Sequence, residues 1–173
     1  MLRVALVGAS GYTGTEALRL LLQHPNVRLT MLCAGRRAGR ELAEITPAYA
    51  GVDLPTLVPF DADAVAAEAE YAFLGLPHGT AQTATAELLA RGVKVIDLSA
   101  DHRFTDPDFY GRVYSEHAHP ESLAETVYGL PELNRDLIKR TRLVGCPGCY
   151  PTSVILGANP ALRSELLASD QVI

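Results

Sequence analysis

Nowhere in its 173 residues does the chain place about 18 apolar residues in a row, and that lack excludes a membrane-spanning helix. The apolar run that opens it carries the single Arg3 and is too short for a signal-peptide core, so a cytoplasmic location is expected. No run of Lys and Arg is long enough to attract nucleic acid, and a formal charge of −5 opposes it. Cysteine is scarce: three residues do not make a disulfide framework, and a reducing compartment keeps them as thiols. Internal repeats and low-complexity tracts are also missing. What remains is 48% hydrophobic and 20% charged, a composition that buries an ordinary core and reads as soluble and globular.

The apolar run Leu2–Val7 reads as a strand, followed by the turn Gly8-Ala-Ser-Gly-Tyr-Thr-Gly14 and a helix over residues 16–23. That helix shows an inner face of Ala17, Leu18, Leu21 and Leu22 and stops at His24-Pro25. Val27–Cys33 is a second strand. Residues 38–46 suggest a short helix, and the proline-containing stretch 47–60 an irregular excursion with at most an edge strand at 56–58. Asp61 is placed to cap a helix running through Ala69. Further strands are expected at 71–76, 93–98 and 142–145. Helices are expected at 80–91, ending at Gly92, then at 107–114, at 131–140 and from 151 onward. A His- and Pro-containing loop fills the gap after residue 114. Strands alternating with helices predict a Rossmann-type α/β fold, a parallel sheet with helices on both faces.

The glycine turn is spaced G-x-x-G-x-x-G rather than G-x-G-x-x-G, a weak signal that gains weight from its place between a strand and a helix. Glycines there let the backbone approach a diphosphate, which the helix N-terminus attracts. The acidic residue that usually holds the ribose hydroxyls of NAD at the end of the second strand is lacking. Cys33-Ala34-Gly35-Arg36-Arg37 stands there instead, and the two guanidinium groups can neutralise the 2′-phosphate of NADP. A solvated arginine pair is the alternative.

Cys149 follows a strand and a Pro-Gly turn and precedes a helix, with Pro151 suited to the first helical turn. A thiol at a helix N-terminus faces the positive end of the dipole, which favours the nucleophilic thiolate, so Cys149 is the candidate nucleophile. Simple packing of a buried cysteine is the plain alternative. Cys146 and Cys149 also form C-x-x-C, a spacing shared with thiol-disulfide oxidoreductases. A metal site is not expected, since His117-x-His119 is the nearest approach to ligand spacing.

Taken together, these features resemble the N-acetyl-gamma-glutamyl-phosphate reductase family of arginine biosynthesis. The matching segments are Gly8-Ala-Ser-Gly-Tyr-Thr-Gly14, Gly75-Leu-Pro-His-Gly79, Asp97-Leu-Ser-Ala-Asp101 with Arg103, Tyr128-Gly-Leu-Pro-Glu-Leu133 and Pro147-Gly-Cys-Tyr-Pro-Thr152. The last is the family's nucleophile motif and points to Cys149. The resemblance implies NADPH-dependent reduction of an acyl phosphate to a semialdehyde through a Cys149 thioester. It implies cofactor contacts from Gly8, Ser10, Gly11, Tyr12, Thr13, Gly14, Arg36, Arg37, Leu76, Pro77, His78 and Ser99, with Arg103 attracting the anionic substrate. It divides the chain into an NADP-binding domain, residues 1–148, and a nucleophile helix leading into an α+β substrate and dimerisation domain, residues 149–173. That domain would be largely absent, together with its acid/base histidine and the surface for a homo-oligomer.

Two departures stand out: His102 where the family usually has Phe, and Cys146 where it usually has Asn or Val. Cys146 opens the prospect of an inactivating disulfide with Cys149. Alternatives to the enzyme reading are a related aminoadipyl- or aspartyl-phosphate dehydrogenase, a non-catalytic NADP-binding module and a thiol-disulfide oxidoreductase.

Overall fold

The computed structural model describes residues 1–166. Seven strands form one sheet in the order β3-β2-β1-β4-β5-β7-β6, and every neighbouring pair is parallel. Strand β1 (Leu2–Val7) lies inside the sheet. From it the chain runs outward through β2 (Val27–Cys33) to the two-residue edge strand β3 (Leu57–Val58). It then returns to lay β4 (Tyr71–Leu74) on the other flank of β1 and continues through β5 (Lys94–Asp97) to β7 (Leu143–Gly145). Strand β6 (Thr126–Tyr128) closes that edge. The order therefore reverses between β1 and β4, where a doubly wound sheet opens a crevice at its C-terminal edge.

The two-residue period of β1 divides the core. Ala5 and Val7 face one cluster, with Val65 of α2 (Ala62–Glu68) and Leu88 of α3 (Ala81–Ala90). Leu6 faces the other, with Leu18 of α1 (Tyr12–Leu22), Leu32 and Leu57. Both faces are thus covered, as a parallel sheet requires. Asp61 Oδ1 accepts the Ala64 N–H at 2.8 Å and starts α2 as expected from the sequence. Three further helices are α4 (Pro107–Val113), α5 (Pro131–Ile138) and α6 (Cys149–Arg163), and no residue of α6 is fully buried. No helix among the described residues is long and apolar enough to cross a membrane.

Several expectations are corrected. Helix α1 begins at Tyr12, so the last three residues of the glycine turn form its first turn, and its buried stripe is Gly14, Leu18 and Leu21 while Leu22 remains exposed. The short helix expected at 38–46 is replaced by two 3-10 turns, Leu42–Glu44 and Pro47–Tyr49. Its backbone is needed elsewhere: Gly39, at φ +85°, donates to the Leu57 carbonyl and docks β3, and Pro47 has no N–H to extend a helix. Strand β6 is present where a loop was expected, after a 3-10 segment at Pro120–Glu125. Three residues carry too little periodicity to announce a strand, and pairing with β7 supplies its register. Helix α6 begins at Cys149, two residues earlier than expected. The end of the chain, where the substrate domain was expected to begin, lies outside the described residues from 167 on.

At Gly145 a Cβ would lie 1.6 Å from the His102 carbonyl oxygen, whereas at Gly157, within α6, it would meet nothing within 4 Å. Gly145→Ala is therefore expected to cost about 3 kcal/mol or more, beyond ordinary overpacking. Gly157→Ala is expected to be neutral or to stabilise by up to about 1 kcal/mol. Urea midpoints of the two variants against wild type measure the difference.

Candidate active site

The crevice at the reversal is built by three glycine backbones. A Cβ on Gly8, at φ +84°, would sit 2.3 Å from the Gly75 carbonyl oxygen, and one on Gly14 would sit 2.2 Å from the Gly8 oxygen. Only residues without side chains let the β1–α1 turn close on the end of β4. The turn is held from below by the Cys33 carbonyl, which accepts from Gly8 and Ala9 N–H at 2.9 and 3.0 Å. Gly11 is the N-cap of α1, with no side-chain cap bond and no acidic residue in the first turn. The orphan N–H groups of that turn and the positive dipole end are therefore available to an anion. Ser10 is half-buried, while Tyr12 and Thr13 are exposed at the crevice.

Arg36 and Arg37 both emerge, exposed, from the turn after β2. Arg37 reaches back across the crevice, its Nη1 donating to the Ser10 carbonyl at 3.1 Å. Arg37 thereby ties the basic turn to the glycine turn.

Beside them lies a cavity of about 310 Å³ walled by Val7, Cys33, Ala34, Phe60 and Leu76, with Glu87 of α3 among its lining. Burial pushes the Cys33 thiol up to about 11, so it is a neutral, apolar wall at any physiological pH. A flat heterocycle joined to a diphosphate fits this arrangement: apolar walls for the ring, glycine turn for the phosphates and arginines at the ribose. The chain's own residues therefore fit a phosphorylated dinucleotide.

The loop after β5 is organised by two buried carboxylates. Asp97 accepts from Ser99 N–H at 2.9 Å, from Ser99 Oγ at 2.8 Å and faces His102 Nδ1 at 2.7 Å. Asp101 accepts from Gly79 N–H at 2.8 Å and from the Tyr110 hydroxyl at 2.9 Å. Desolvation first, then Asp101, pushes the Tyr110 phenol up to about 12, which keeps it a donor. Gln82 on α3 donates to the same hydroxyl at 3.1 Å and accepts from Ala118 N–H at 2.7 Å. The Ser99 hydroxyl is therefore turned to Asp97 and buried. His78 is exposed, with Nδ1 accepting from Ala100 N–H at 2.8 Å, so its Nε2 is the ring nitrogen left for the crevice.

The last component leaves the end of β7 as Gly145-Cys146-Pro147-Gly148. Gly148 is the N-cap of α6 and Cys149 its first residue, exposed to solvent. Cys146 is the inner thiol, and desolvation with the nearby Asp97 charge pushes it up to about 12. The two cysteines of C-x-x-C are consequently unequal: one protonated and half-buried, one open at a helix tip. Arg103 runs along this loop, its Nε donating to the Cys146 carbonyl at 2.9 Å, and its Nη1 would lie 3.3 Å from a Cβ on Gly148.

The fold thus carries the residues singled out in the sequence to the C-terminal edge of one sheet, at the ends of β1, β2, β4, β5 and β7. Sequence reasoning gave no role to Gly75, Asp97, Asp101, Tyr110, Gln82 or Gly145. For the acids a signal exists in the spacing Asp97-x-Ser99-x-Asp101, which lets short side chains hydrogen-bond backbone two residues on. For Gly75 and Gly145 none exists, because their constraint comes from a distant segment.

Reversal crevice, glycine turn and phosphate-seeking helix are the parts of an NAD(P)-binding domain. The chain belongs to the family of the semialdehyde dehydrogenase NAD-binding domain, whose model matches residues 3–141. It is 46% identical over 173 residues to an N-acetyl-gamma-glutamyl-phosphate reductase of Geobacter metallireducens, covering 100% of this chain and 50% of that protein. It is 50% identical over 167 residues to one of Syntrophobacter fumaroxidans, covering 96% and 48%. Its fold is similar to that of aspartate semialdehyde dehydrogenase II of Vibrio cholerae (TM-score 0.66, 18% identity, 94% of this chain and 47% of that one). The chain spans about half the length of the curated relatives it matches.

The buried network has a pH signature. His117 is pushed below the usual histidine range chiefly by desolvation and then by His102, and its Nε2 faces the Asp101 carbonyl while its Nδ1 accepts from His119 N–H. A base whose folded pKa is depressed binds protons more readily when unfolded. Its contribution is complete above about pH 6.5 and is lost as pH falls toward the folded value. Urea unfolding at about pH 7.5 and about pH 5.5 should show wild type losing more stability than His117→Gln over that interval.

Proposed function

We propose that the chain provides the cofactor seat and the nucleophile of an N-acetyl-gamma-glutamyl-phosphate reductase. The reaction is NADPH-dependent reduction of N-acetyl-L-glutamyl 5-phosphate to the 5-semialdehyde, with release of phosphate. The observation that carries this reading is the exposed Cys149 at the tip of α6, on the same sheet edge as the glycine turn and the arginines. The names of the relatives agree with it.

The Cys149 thiolate attacks the carbonyl carbon of the acyl phosphate. A carbon–sulfur bond forms, the carbon–oxygen bond to phosphate breaks, and phosphate leaves with that electron pair, so that a thioester remains on the protein. The first-turn N–H groups of α6 lie where negative charge develops, and Arg103 is placed to draw the anionic substrate to the loop. Arg36 and Arg37 select the 2′-phosphate, and Leu76, Pro77 and His78 border the nicotinamide side of the crevice. The Ser99 hydroxyl is itself turned to Asp97. Reduction of the thioester is the chemistry that a bound NADPH supplies. Substrate selection, the proton-transferring histidine and assembly into a homo-oligomer belong, on this reading, to the half of the relatives' length that the chain does not span.

Incubation with acyl phosphate should add one acyl group to Cys149 by intact mass, and Cys149→Ser should abolish it. Tight NADPH binding without any label would favour a non-catalytic binding module. Arg36→Ala and Arg37→Ala should each weaken NADPH about tenfold, the worth of a charge-assisted contact, and leave NADH unchanged. Equal losses for both cofactors would remove the arginines from 2′-phosphate recognition.

A further inference from the structure

His102 and Asp97 are both wholly buried, and His102 Nδ1 stands 2.7 Å from Asp97 Oδ2. The other ring nitrogen, Nε2, is buried without a hydrogen-bond partner. An apolar ring would fill the same space without that penalty, so packing does not account for an imidazole here. The contact with Asp97 does.

Asp97 is more than a neighbour of the nucleophile loop. Its carbonyl accepts the Cys146 N–H at 2.8 Å, it pairs in register with Gly145, and its charge acts on the Cys146 thiol. The His102 backbone meets the same loop from a second direction, since its carbonyl oxygen is what excludes any side chain at Gly145. The next residue, Arg103, holds the Cys146 carbonyl from the outer side. The end of β5 and two residues of the loop after it, Asp97, His102 and Arg103, therefore set the path from Gly145 to Gly148, at whose end Cys149 emerges.

We infer that His102 is a positioning residue for Cys149, acting through its hydrogen bond to Asp97. This rests on the assignment of Cys149 as nucleophile. The imidazole Nδ1 donates to the buried carboxylate and fixes its direction. The fixed Asp97 holds the start of the nucleophile loop against the sheet, so that the thiol is presented at the helix tip in one geometry. Loss of the donor leaves the carboxylate with Ser99 alone and lets the loop shift, with no change at the cofactor seat.

Leucine and asparagine have nearly the same shape, but asparagine keeps an N–H donor where His102 has Nδ1. The test is the rate of Cys149 alkylation by iodoacetamide in the isolated chain, mapped by peptide mass, alongside NADPH affinity. His102→Leu should slow alkylation about tenfold, the scale of a small misplacement, with His102→Asn restoring most of the rate and NADPH affinity equal in all three. Equal rates in the leucine and asparagine chains would overturn the inference and make His102 a space-filling residue. If the leucine variant does not fold, Asp97→Asn takes its place, weakening the same bond at constant volume, and an unchanged rate there overturns the inference equally. A wild-type Cys149 no more reactive than free cysteine would instead overturn the nucleophile assignment, and with it the basis of the inference.

Discussion

The contact between the backbones of Gly8, Gly14 and Gly75 is the constraint from which the rest of the crevice follows. A Cβ at Gly8 or Gly14 would fall inside a neighbouring carbonyl, so the β1–α1 turn can close on the end of β4 only with hydrogen in those places. That closure aims the N-terminus of α1 into the crevice at the reversal of strand order and brings the Ser10 carbonyl within reach of Arg37. An anion seat, an apolar cavity and a basic turn are consequences of one close approach.

On the far side of the crevice the organising force is electrostatic. Two carboxylates are kept wholly buried because each has several donors, and their partners come from three different segments of chain. Buried charges with satisfied partners have few alternative arrangements. Such a network stiffens the loop after β5, and through Arg103 and Asp97 it reaches the loop that carries Cys149. The environment also separates two chemically identical thiols: Cys146 is held protonated by burial beside Asp97, and Cys149 is left open at a helix tip.

Much of this was legible in the residues. Alternation of apolar strands with amphipathic helices announces the parallel sheet, and the glycine turn between β1 and α1 announces an anion seat. Pro147-Gly-Cys-Tyr-Pro-Thr152 singles out Cys149. These are local signals, carried by a few adjacent positions. The failures were local patterns overruled from outside: residues 38–46 surrendered a helix so that Gly39 could dock β3, and Thr126–Tyr128 became a strand only because β7 offered its edge.

By itself the sequence determined the order and type of the main elements, the absence of a long apolar span and the choice of Cys149 and the turn glycines as candidate site residues. These follow from periodicity and residue type, which act over a turn or a strand. Tertiary structure alone decided that Gly145 must be glycine, that Ser99 turns inward, that Arg37 bridges to Ser10 and that His102 lies buried against Asp97. Each depends on atoms brought together from separate strands, and burial sets the charge state and direction of a side chain only once the sheet has closed around it.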